Sequence, residues 1–335
     1  MTRPIILGTG SSLPKRILTN RDLEKMVDTS DEWITTRTGI KSRRIATSGE
    51  ETSRLAASAG RKAMEMAGVT PDEIDLIIVG TMTSEMAMPS CSCFVQQELG
   101  ADNAFAFDVN AACSGFVYGL DTADKYLRCK PDMKALIIGT ENLSARVNWK
   151  DRNTCILFGD GAGACVLATS DNDGGILASR IFSDGRLSEL LMLDSAPSMN
   201  PDLNFKIGTN NVMGTECDEG ACIRMKGKDV FKFAVRAMAG AVSELLGAID
   251  IPVSDVDLLI PHQANIRILK GLADRLHIPF EKIFINLHKY GNTSAASIPI
   301  ALDEANREGR LKKGDLLVLC AMGGGFTWGT TIIRW

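Results

Sequence analysis

The chain repeats one pattern of secondary structure about 180 residues apart. The segments AASAGRKAMEMAGVTPDEIDLIIVG, which ends at Gly80, and AMAGAVSELLGAIDIPVSDVDLLIPH, which ends at His262, align without gaps. Each is typical of an amphipathic helix, a short polar link and an apolar strand, and Asp75 in the first corresponds to Asp257 in the second. A chain built from two such copies is expected to fold as two α/β halves with largely parallel strands.

Two further strands continue the repeat. The strand at 105–110 has a counterpart at 283–288, and the apolar run ALIIGTE has a counterpart in DLLVLCA at nearly the same offset. A polar, turn-rich stretch (TSDNDGG) follows the strand ACVLA and marks the division between the copies. We therefore predict an N-terminal half at 1–172 and a C-terminal half at 173–335.

Composition narrows the classes of function. With 37 Lys and Arg against 41 Asp and Glu, the formal net charge is −4, which argues against nucleic acid as a partner. No apolar segment approaches the length of a membrane span, so we expect no membrane insertion. The nine cysteines are scattered, which is typical of reduced thiols in the cytoplasm. Three histidines and no CxxC pair give no metal-ligand spacing, so no metal site is expected.

A potential nucleophile follows one of the repeated strands. In FDVNAACSGF, the strand Phe105–Val109 passes through small residues into a helix that is expected to begin at Cys113. A thiol at the N-terminus of a helix lies at the positive end of the helix dipole, which favours the thiolate. Most free cysteines are nevertheless small core residues. The local pattern alone therefore leaves open whether Cys113 is reactive or structural.

Two polar residues of the second half fall beyond apolar strands. His262 ends the strand in LLIPHQANIRI, and Asn292 lies in KYGNTSAAS. Ligands bind beyond the carboxyl ends of strands in open α/β sheets, so we expect these residues to converge with Cys113 and with the glycine run Gly323–Gly325. Two arrangements stay open. In the first, Asn292 orients His262 as the base of a hydrolase-like triad. In the second, both side chains donate hydrogen bonds to one developing oxyanion.

One stretch interrupts the alternation of strands and helices. Residues 194–225 are rich in Asn, Asp, Gly and Pro and contain two cysteines. They are expected to form an irregular surface excursion, which serves either as a lid or as exposed decoration.

Six ordered motifs give the chain a specific resemblance. It resembles the β-ketoacyl-acyl-carrier-protein synthase III family of the thiolase superfamily in TSDEWITTRTGI, DVNAACSGF, ILFGDGAGA, PHQAN, YGNTSAAS and GGGFTWG, which together extend over essentially the whole chain. The resemblance implies a thiolase-like five-layered αβαβα fold of two duplicated halves, and a homodimer. It also implies initiation of fatty-acid synthesis, in which an acyl-CoA primer, expected to be acetyl-CoA, condenses with malonyl-acyl carrier protein and no cofactor is needed beyond the CoA thioester substrate.

The resemblance also implies roles for individual residues. Cys113 would carry the acyl group, and the backbone N–H groups of Cys113 and Gly324 would form an oxyanion hole. His262 and Asn292 would stabilise the enolate formed by decarboxylation. The residues implied in CoA binding are Trp33, Arg37, Thr38, Arg152, Phe231 and Asn265. The residues implied in a basic patch for the acidic carrier protein are Lys228, Lys232, Arg236, Arg267, Lys270 and Arg275.

One position departs from the family pattern, and several alternatives stay open. Met88 stands where many members carry a phenylalanine that reaches across the dimer to close the acyl pocket, so the sequence leaves primer length and branching open. A polyketide- or quinolone-type condensing enzyme would share the Cys-His-Asn set. A hydroxymethylglutaryl-CoA-synthase-like enzyme would need a glutamate near Met82, and Glu85 is out of register. A non-catalytic scaffold that binds acyl-CoA or carrier protein would not need Cys113, His262 or Asn292.

Overall fold

The computed structural model describes residues 2–171, 173–193 and 222–335. In the first half the elements are β1 (Arg3–Ser12), β2 (Arg16–Thr19), α1 (Asn20–Leu23), α2 (Asp31–Thr38), β3 (Ser42–Ile45), α3 (Thr52–Ala67), β4 (Leu76–Gly80), α4 (Cys91–Leu99), β5 (Phe105–Val109), α5 (Gly115–Cys129), β6 (Ala135–Glu141) and β7 (Gly161–Ser170). In the second half they are β8 (Gly175–Ser183), β9 (Leu191–Met192), β10 (Arg224–Met225), α6 (Gly227–Ala248), β11 (Leu258–Pro261), α7 (Ile266–Leu276), α8 (Leu287–Tyr290), α9 (Ser297–Arg307), β12 (Leu316–Gly323) and β13 (Thr327–Arg334).

The two main sheets have equivalent topologies. The first has the order β1-β7-β6-β4-β5, in which β4 is parallel to β5 and β6, and β7 is antiparallel to β6 and β1. The second has the order β11-β12-β13-β8, in which β11 is parallel to β12, and β13 is antiparallel to β12 and β8. The strands β4, β6, β7 and β1 thus correspond to β11, β12, β13 and β8. The repeated sequence pattern therefore reflects a repeated topology.

One predicted strand is reduced to a single bridge. The repeat predicts a strand at 283–288 as the counterpart of β5, but only Ile283 forms a parallel bridge, with Leu259, and α8 follows at once. The backbone N–H of Asn286 donates instead to the side-chain oxygen of Gln263 at 3.1 Å. The prediction of a full strand is wrong here because a side chain takes the hydrogen bond that a neighbouring strand would have made.

The two sheets enclose the central helices α5 and α9. One apolar core between the sheets contains residues of both helices together with Ile78 of β4 and Leu319 of β12. Successive strand residues point to opposite faces, so Val79 packs against α3 and α4, and Val318 packs against α6 and α7. The layers therefore follow the order α-β-α-β-α. The fold class predicted from the sequence is confirmed.

Glycines allow the central layer to approach the first sheet closely. A Cβ atom at Gly139 of β6 would lie 2.1 Å from the carbonyl oxygen of Ala295, in the turn before α9. A Cβ atom at Gly80 of β4 would lie 2.7 Å from the carbonyl carbon of Gly115, at the start of α5. No side chain fits at these distances. The two glycines therefore let both segments that precede the central helices lie directly against the sheet.

The structure tests the predictions for the cysteines and for the long excursion only in part. Seven cysteines are free thiols, but Cys222 is disulfide-bonded, so the prediction that all nine are reduced is wrong at this residue. Cys217 is outside the described residues. Most of the predicted excursion at 194–225 is also outside them. Its described ends meet in the short antiparallel pair β9 and β10.

Within the described ranges, no helix combines the length and the apolar character that crossing a membrane requires. The same ranges contain no group of three or more His, Cys, Asp or Glu residues arranged to hold a metal ion.

Candidate active site

One cavity of about 1270 Å³ opens beyond the carboxyl ends of strands from both sheets. Its lining includes the predicted site residues Cys113, His262, Asn292 and Gly324, which follow β5, β11, α8 and β12. The first three side chains are buried, with exposed fractions of 7%, 3% and 8%. The structure therefore brings together residues that are up to about 210 positions apart in the chain.

Cys113 lies in a single 3₁₀ turn that leads directly into α5. The turn Ala112–Ser114 precedes α5, which begins at Gly115, two residues later than predicted. Burial raises the pKa of the Cys113 thiol to about 12, and a hydrogen bond with the Ser294 side chain partly opposes this rise. In this structure, burial thus acts against the thiolate that the helix terminus was expected to favour. Desolvation disfavours the charged form of a thiol.

His262 is held as a neutral imidazole by one hydroxyl. Its Nδ1 lies 2.7 Å from Oγ of Ser297, and the same oxygen accepts the backbone N–H of Gln263 at 3.3 Å. Because Ser297 Oγ already accepts one hydrogen bond, this geometry favours donation of the hydroxyl proton to Nδ1, which leaves the imidazole proton on Nε2. Burial lowers the pKa of His262 to about 4. The side chain therefore enters the cavity as an uncharged donor.

The side-chain oxygen of Asn292 is also already hydrogen-bonded within the protein. Its Oδ1 accepts the backbone N–H of Ser294 at 2.9 Å, so the amide nitrogen is the group left for the cavity. The backbone of Asn292 is anchored to Leu157 and Gly159 by hydrogen bonds of 2.9 and 3.0 Å. A hydrolase-like triad would need Asn292 to hold the imidazole of His262, whereas Ser297 does so here. The arrangement with two separate donors is the one that fits.

The glycine run at the end of β12 packs against the nucleophile. A Cβ atom at Gly323 would lie 2.6 Å from the backbone nitrogen of Cys113, so only glycine permits this contact. Thr327 Oγ1 donates to the carbonyl oxygen of Ala111 at 2.8 Å and fastens the same two segments together. Gly324 lines the cavity with Cys113. Backbone N–H groups from two fixed segments are suited to hold an oxyanion.

A buried carboxylate lies behind the thiol. Glu141, at the end of β6, accepts hydrogen bonds through Oε2 from Thr83 and Thr81 at 2.5 and 3.3 Å, and through Oε1 from Ser294 Oγ at 3.2 Å. Burial raises the pKa of its carboxyl to about 7. Sequence reasoning missed Glu141, Ser294 and Ser297, although each lies in a segment it had singled out. The contact of Glu141 with Ser294 joins the two halves, and Ser297 contacts His262, 35 positions away in the same half. No local pattern encodes such contacts.

An aromatic ring and two arginines lie at the mouth of the cavity. The guanidinium carbons of Arg37 and Arg152 are 4.7 and 5.1 Å from the ring centroid of Trp33. Trp33, Arg37 and Thr38 line the cavity, whereas Arg152 does not, because its guanidinium donates to the backbone oxygen of Asp28 at 2.8 Å. This cluster presents an aromatic face and positive charge to an entering ligand.

The opposite wall comes from the second half. Phe231 of α6 lines the cavity, as does Asn265, whose side-chain oxygen caps α7 by accepting the N–H of Arg267 at 2.9 Å. The basic residues of the lining are Arg37, Arg146, Lys228, Lys232 and Arg267, with Asp151 as an acidic member. This excess of positive charge favours anionic ligands.

Met88 and half of the predicted basic patch lie outside the cavity. Met88 does not line it and is 85% exposed. All six residues of the predicted basic patch are exposed: Lys228, Lys232 and Arg236 on α6, and Arg267, Lys270 and Arg275 on α7. The helices α6 and α7 pack against each other through one apolar core, and three of the six basic residues also line the cavity. The patch therefore adjoins the mouth of the cavity.

Comparison with known proteins agrees with this geometry. The model of the family 3-oxoacyl-[acyl-carrier-protein (ACP)] synthase III matches residues 107–185, and the model of its C-terminal part matches residues 246–335. The β-ketoacyl-[acyl-carrier-protein] synthase III of Desulfotalea psychrophila is 54% identical over 331 residues, which cover 99% of each chain. The enzyme of the same name from Aquifex aeolicus is 50% identical and covers 98% of this chain and 99% of its own.

Solved structures share the whole fold. The 3-oxoacyl-[acyl-carrier-protein] synthase III of Aquifex aeolicus superposes with a TM-score of 0.90 at 49% identity and full coverage of both chains. The synthase III of Thermus thermophilus gives a TM-score of 0.89 at 38% identity, with 99% of both chains covered. This similarity and the two family matches establish that the chain belongs to the 3-oxoacyl-[acyl-carrier-protein] synthase III family of condensing acyltransferases.

Proposed function

We propose that this chain performs the first condensation of fatty-acid synthesis, in which an acyl group from acyl-CoA, with acetyl-CoA as the expected primer, is joined to malonyl-acyl carrier protein. The observation that carries the proposal is one cavity that contains a thiol, two uncharged hydrogen-bond donors and a basic mouth. The names of relatives at 50% identity or more support the same substrate classes.

The first half-reaction transfers the acyl group to Cys113. The sulfur attacks the thioester carbonyl, the carbon–sulfur bond to CoA breaks, and an acyl-cysteine remains. The oxyanion formed on the way accepts hydrogen bonds from the backbone N–H groups of Cys113 and Gly324. Each such donor contributes about 10²–10³-fold in rate. CoA leaves before the second substrate enters, so the kinetics are ping-pong.

The second half-reaction forms the carbon–carbon bond. Loss of CO₂ from the malonyl group leaves an enolate, whose oxygen accepts hydrogen bonds from Nε2 of His262 and the amide of Asn292. The enolate carbon attacks the acyl-cysteine, and the Cys113 thiolate departs from the 3-ketoacyl product. Decarboxylation itself generates the carbanion, so the reaction needs no strong base and no further cofactor. A neutral His262 suits this step because the imidazole must donate a hydrogen bond.

The mouth of the cavity suits both substrates. Trp33 and the guanidinium groups of Arg37 and Arg152 would hold the adenine and phosphates of CoA, with Thr38 beside them, and Phe231 and Asn265 would line the pantetheine path. The exposed basic side chains on α6 and α7 would receive the acidic carrier protein. Entry of both substrates through one mouth agrees with their sharing the pantetheine arm and with release of CoA before the carrier protein binds.

The proposed enzyme works as a homodimer in the cytoplasm. The strand β5 is the edge of the first sheet, and Phe105 on it is 44% exposed beside the ring of Tyr126, 5.6 Å away. An exposed apolar edge strand is suited to pair with a second copy. Met88 would then reach the acyl pocket of the partner and limit primer length.

Intact-mass spectrometry tests the proposed function. The wild-type protein and Cys113→Ala are mixed with acetyl-CoA and with longer acyl-CoAs, and malonyl-acyl carrier protein is added afterwards. We expect one acyl adduct on the wild type, none on the variant, and discharge of the adduct as a 3-ketoacyl carrier protein. An adduct that the malonyl carrier protein cannot discharge would contradict the proposed acceptor. The absence of any adduct would contradict the proposed chemistry.

A further inference from the structure

The proposed chemistry leaves the proton of the Cys113 thiol without an assigned acceptor. This proton must leave as the sulfur–carbon bond forms. His262 is a weak base in this site, because burial lowers its pKa to about 4 and its Nδ1 is already bonded to Ser297. Glu141 is a fully buried ionisable group close to the thiol, and neither half-reaction described above uses it.

One hydroxyl connects the thiol and this carboxylate. Ser294 Oγ lies 3.2 Å from Oε1 of Glu141, and the same side chain is hydrogen-bonded to the Cys113 thiol. The backbone N–H of Ser294 is held by Asn292 Oδ1 at 2.9 Å, which fixes the turn that carries the hydroxyl. A hydroxyl donates one hydrogen bond and accepts others. Ser294 can therefore accept the S–H proton while it donates its own proton to Glu141.

We propose that Ser294 and Glu141 form a proton relay for Cys113. As the thiol attacks the acyl-CoA carbonyl, its proton passes to Ser294 Oγ, and the former hydroxyl proton of Ser294 passes to Glu141. The sulfur–acyl bond forms, the CoA–acyl bond breaks, and the CoA thiolate takes a proton from water. When condensation later releases the Cys113 thiolate, Glu141 returns the proton by the same route. This inference rests on the proposed function.

Charge conservation explains why a relay suits a buried site. A thiolate formed by loss of a proton to water would add a second negative charge beside Glu141, and that carboxylate itself raises the pKa of the Cys113 thiol. Transfer of the proton to Glu141 moves one buried negative charge from oxygen to sulfur and adds none. The penalty of burying a new charge is thereby avoided.

The surroundings of Glu141 keep it available as an acceptor. Thr81, Thr83 and the backbone N–H of Met82 donate to its Oε2, which leaves Oε1 for Ser294. Among the described residues, the titratable groups whose pKa values respond to Glu141 are the thiols of Cys113 and Cys91. Burial raises the pKa of the Cys91 thiol far above neutrality, so it stays protonated. The carboxyl of Glu141, with a pKa of about 7, is then the group that titrates near neutral pH.

Rapid-quench measurement of acylation tests the relay. The rate at which acetyl-CoA modifies Cys113 is followed by intact mass between about pH 5.5 and 9, a range that spans the pKa of Glu141. In the wild type we expect the rate to rise with pH through about 7, because ionised Glu141 is the proton acceptor. Glu141→Gln, which keeps the size of the side chain, should acylate about 10²-fold more slowly and lose this inflection. Ser294→Ala should show the same two changes.

Thr81→Val is the matched control. It removes a hydrogen bond to Glu141 on the side away from Cys113 and leaves the relay intact. The Thr81 hydroxyl also accepts the backbone N–H of Thr83 at 3.1 Å, so two hydrogen bonds are lost. We expect an acylation rate within about tenfold of the wild type, because neither of them involves Ser294 or Cys113. We also expect the inflection to move to higher pH, because the ionised carboxylate loses a donor. Loss of the inflection in this control would point to a structural effect and overturn the relay.

The outcomes separate the relay from the proposed function. A Cys113 adduct in the wild type, with unchanged rate and inflection in Glu141→Gln and Ser294→Ala, would overturn the relay and leave the proposed function standing. The absence of any adduct in the wild type would overturn the proposed function and the relay with it. Slow acylation without the inflection in both variants, beside a control that keeps it, supports the relay.

Discussion

His262 and Asn292 each present one hydrogen-bonding group to the cavity because the other is already occupied. Ser297 holds Nδ1 of His262, and the backbone of Ser294 holds Oδ1 of Asn292. An imidazole or an amide that is free at both ends can turn, and it then offers an acceptor where the reaction needs a donor. At the residue scale, the site therefore depends on the partners of the reactive groups as much as on the groups themselves.

Ser297→Ala tests this dependence. The substitution removes the partner of Nδ1, so His262 can place its proton on either nitrogen. The hydrogen bond to His262 is lost together with the longer one from the Gln263 backbone N–H. We expect condensation by preformed acyl-enzyme to slow by about tenfold, while acylation of Cys113 stays close to wild type. A shift in the ¹⁵N NMR tautomer signature of the imidazole should accompany the change. Unchanged condensation with a changed tautomer would show that the position of the proton is unimportant.

Glu141 gives a stability prediction with a definite sign. Its carboxyl has a pKa of about 7 in the folded protein, against an ordinary value of 4.5, so the folded protein binds more protons between these values. Wild-type stability therefore falls as pH rises through this window. Glu141→Gln does not titrate and should gain about 2–3 kcal/mol relative to the wild type between pH 5 and pH 8. Denaturant unfolding at both pH values measures this difference, and an equal difference at the two would contradict it.

At the element scale, the turns before α5 and α9 carry the reactive groups to one place. The turn before α5 holds Cys113, and the turn before α9 holds Ser294 and leads to Ser297. Both turns lie against strands of the first sheet at Gly80 and Gly139, where no side chain fits. The strands therefore support both turns, and the two glycines determine how closely each turn packs against the first sheet.

Gly139→Ala tests whether this close packing positions the turn before α9. The added methyl group would lie 2.1 Å from the Ala295 carbonyl oxygen, so the turn before α9 must move. We expect a loss of about 1–3 kcal/mol of stability from overpacking, together with a large loss of condensing activity. Gly240→Ala, in α6, is the control because its Cβ has no neighbour within 4 Å. It should be neutral or add up to about 1 kcal/mol through helix propensity, with activity retained. Equal effects of the two variants would contradict this account.

At the scale of the whole molecule, the carrier-protein patch and the cavity mouth occupy neighbouring surfaces of α6 and α7. Arg236 and Lys270 belong to the patch but do not line the cavity. Their substitution can therefore separate docking of the carrier protein from binding of acyl-CoA.

The double charge reversal Arg236→Glu and Lys270→Glu should raise KM for malonyl-acyl carrier protein by about tenfold or more at low salt, because like charges now face each other. Acylation by acetyl-CoA should stay close to wild type. The double reversal Lys312→Glu and Lys313→Glu, at two exposed residues elsewhere, controls for the equal change in net charge. A KM that is unchanged in the first double variant, or raised equally in the control, would place the docking surface elsewhere.

The proposed dimer can be tested at the exposed edge strand. Phe105→Asp places a charge on the apolar edge of β5, where a second copy would bury it without a partner. We expect analytical ultracentrifugation to show a dimer for the wild type and monomer for the variant. Ile17→Asp adds the same charge to a residue that is 51% exposed on β2 and serves as the control. A variant that stays dimeric would exclude β5 as the interface.

The amino-acid sequence was enough to predict the fold class and three polar residues that the structure brings to one cavity. Apolar periodicity fixes which segments form strands and helices, and its recurrence revealed the duplicated topology. Cys113, His262 and Asn292 follow from position, because they lie beyond strand ends that the fold must bring to one edge. Trp33 and the basic residues came from the family resemblance, and the structure places Trp33, Arg37, Thr38, Phe231 and Asn265 along the cavity.

The protonation and the hydrogen-bond partners of Cys113, His262 and Asn292 depend on tertiary packing. Burial raises the pKa of the Cys113 thiol, and no local pattern reports burial. The contacts of Ser297 with His262, and of Ser294 with Glu141, join segments 35 and 153 positions apart. The strand predicted at 283–288 does not form for the same reason, because the side chain of Gln263 accepts the backbone N–H of Asn286. Chain pattern sets the elements, whereas desolvation and long-range hydrogen bonds exist only after those elements have packed.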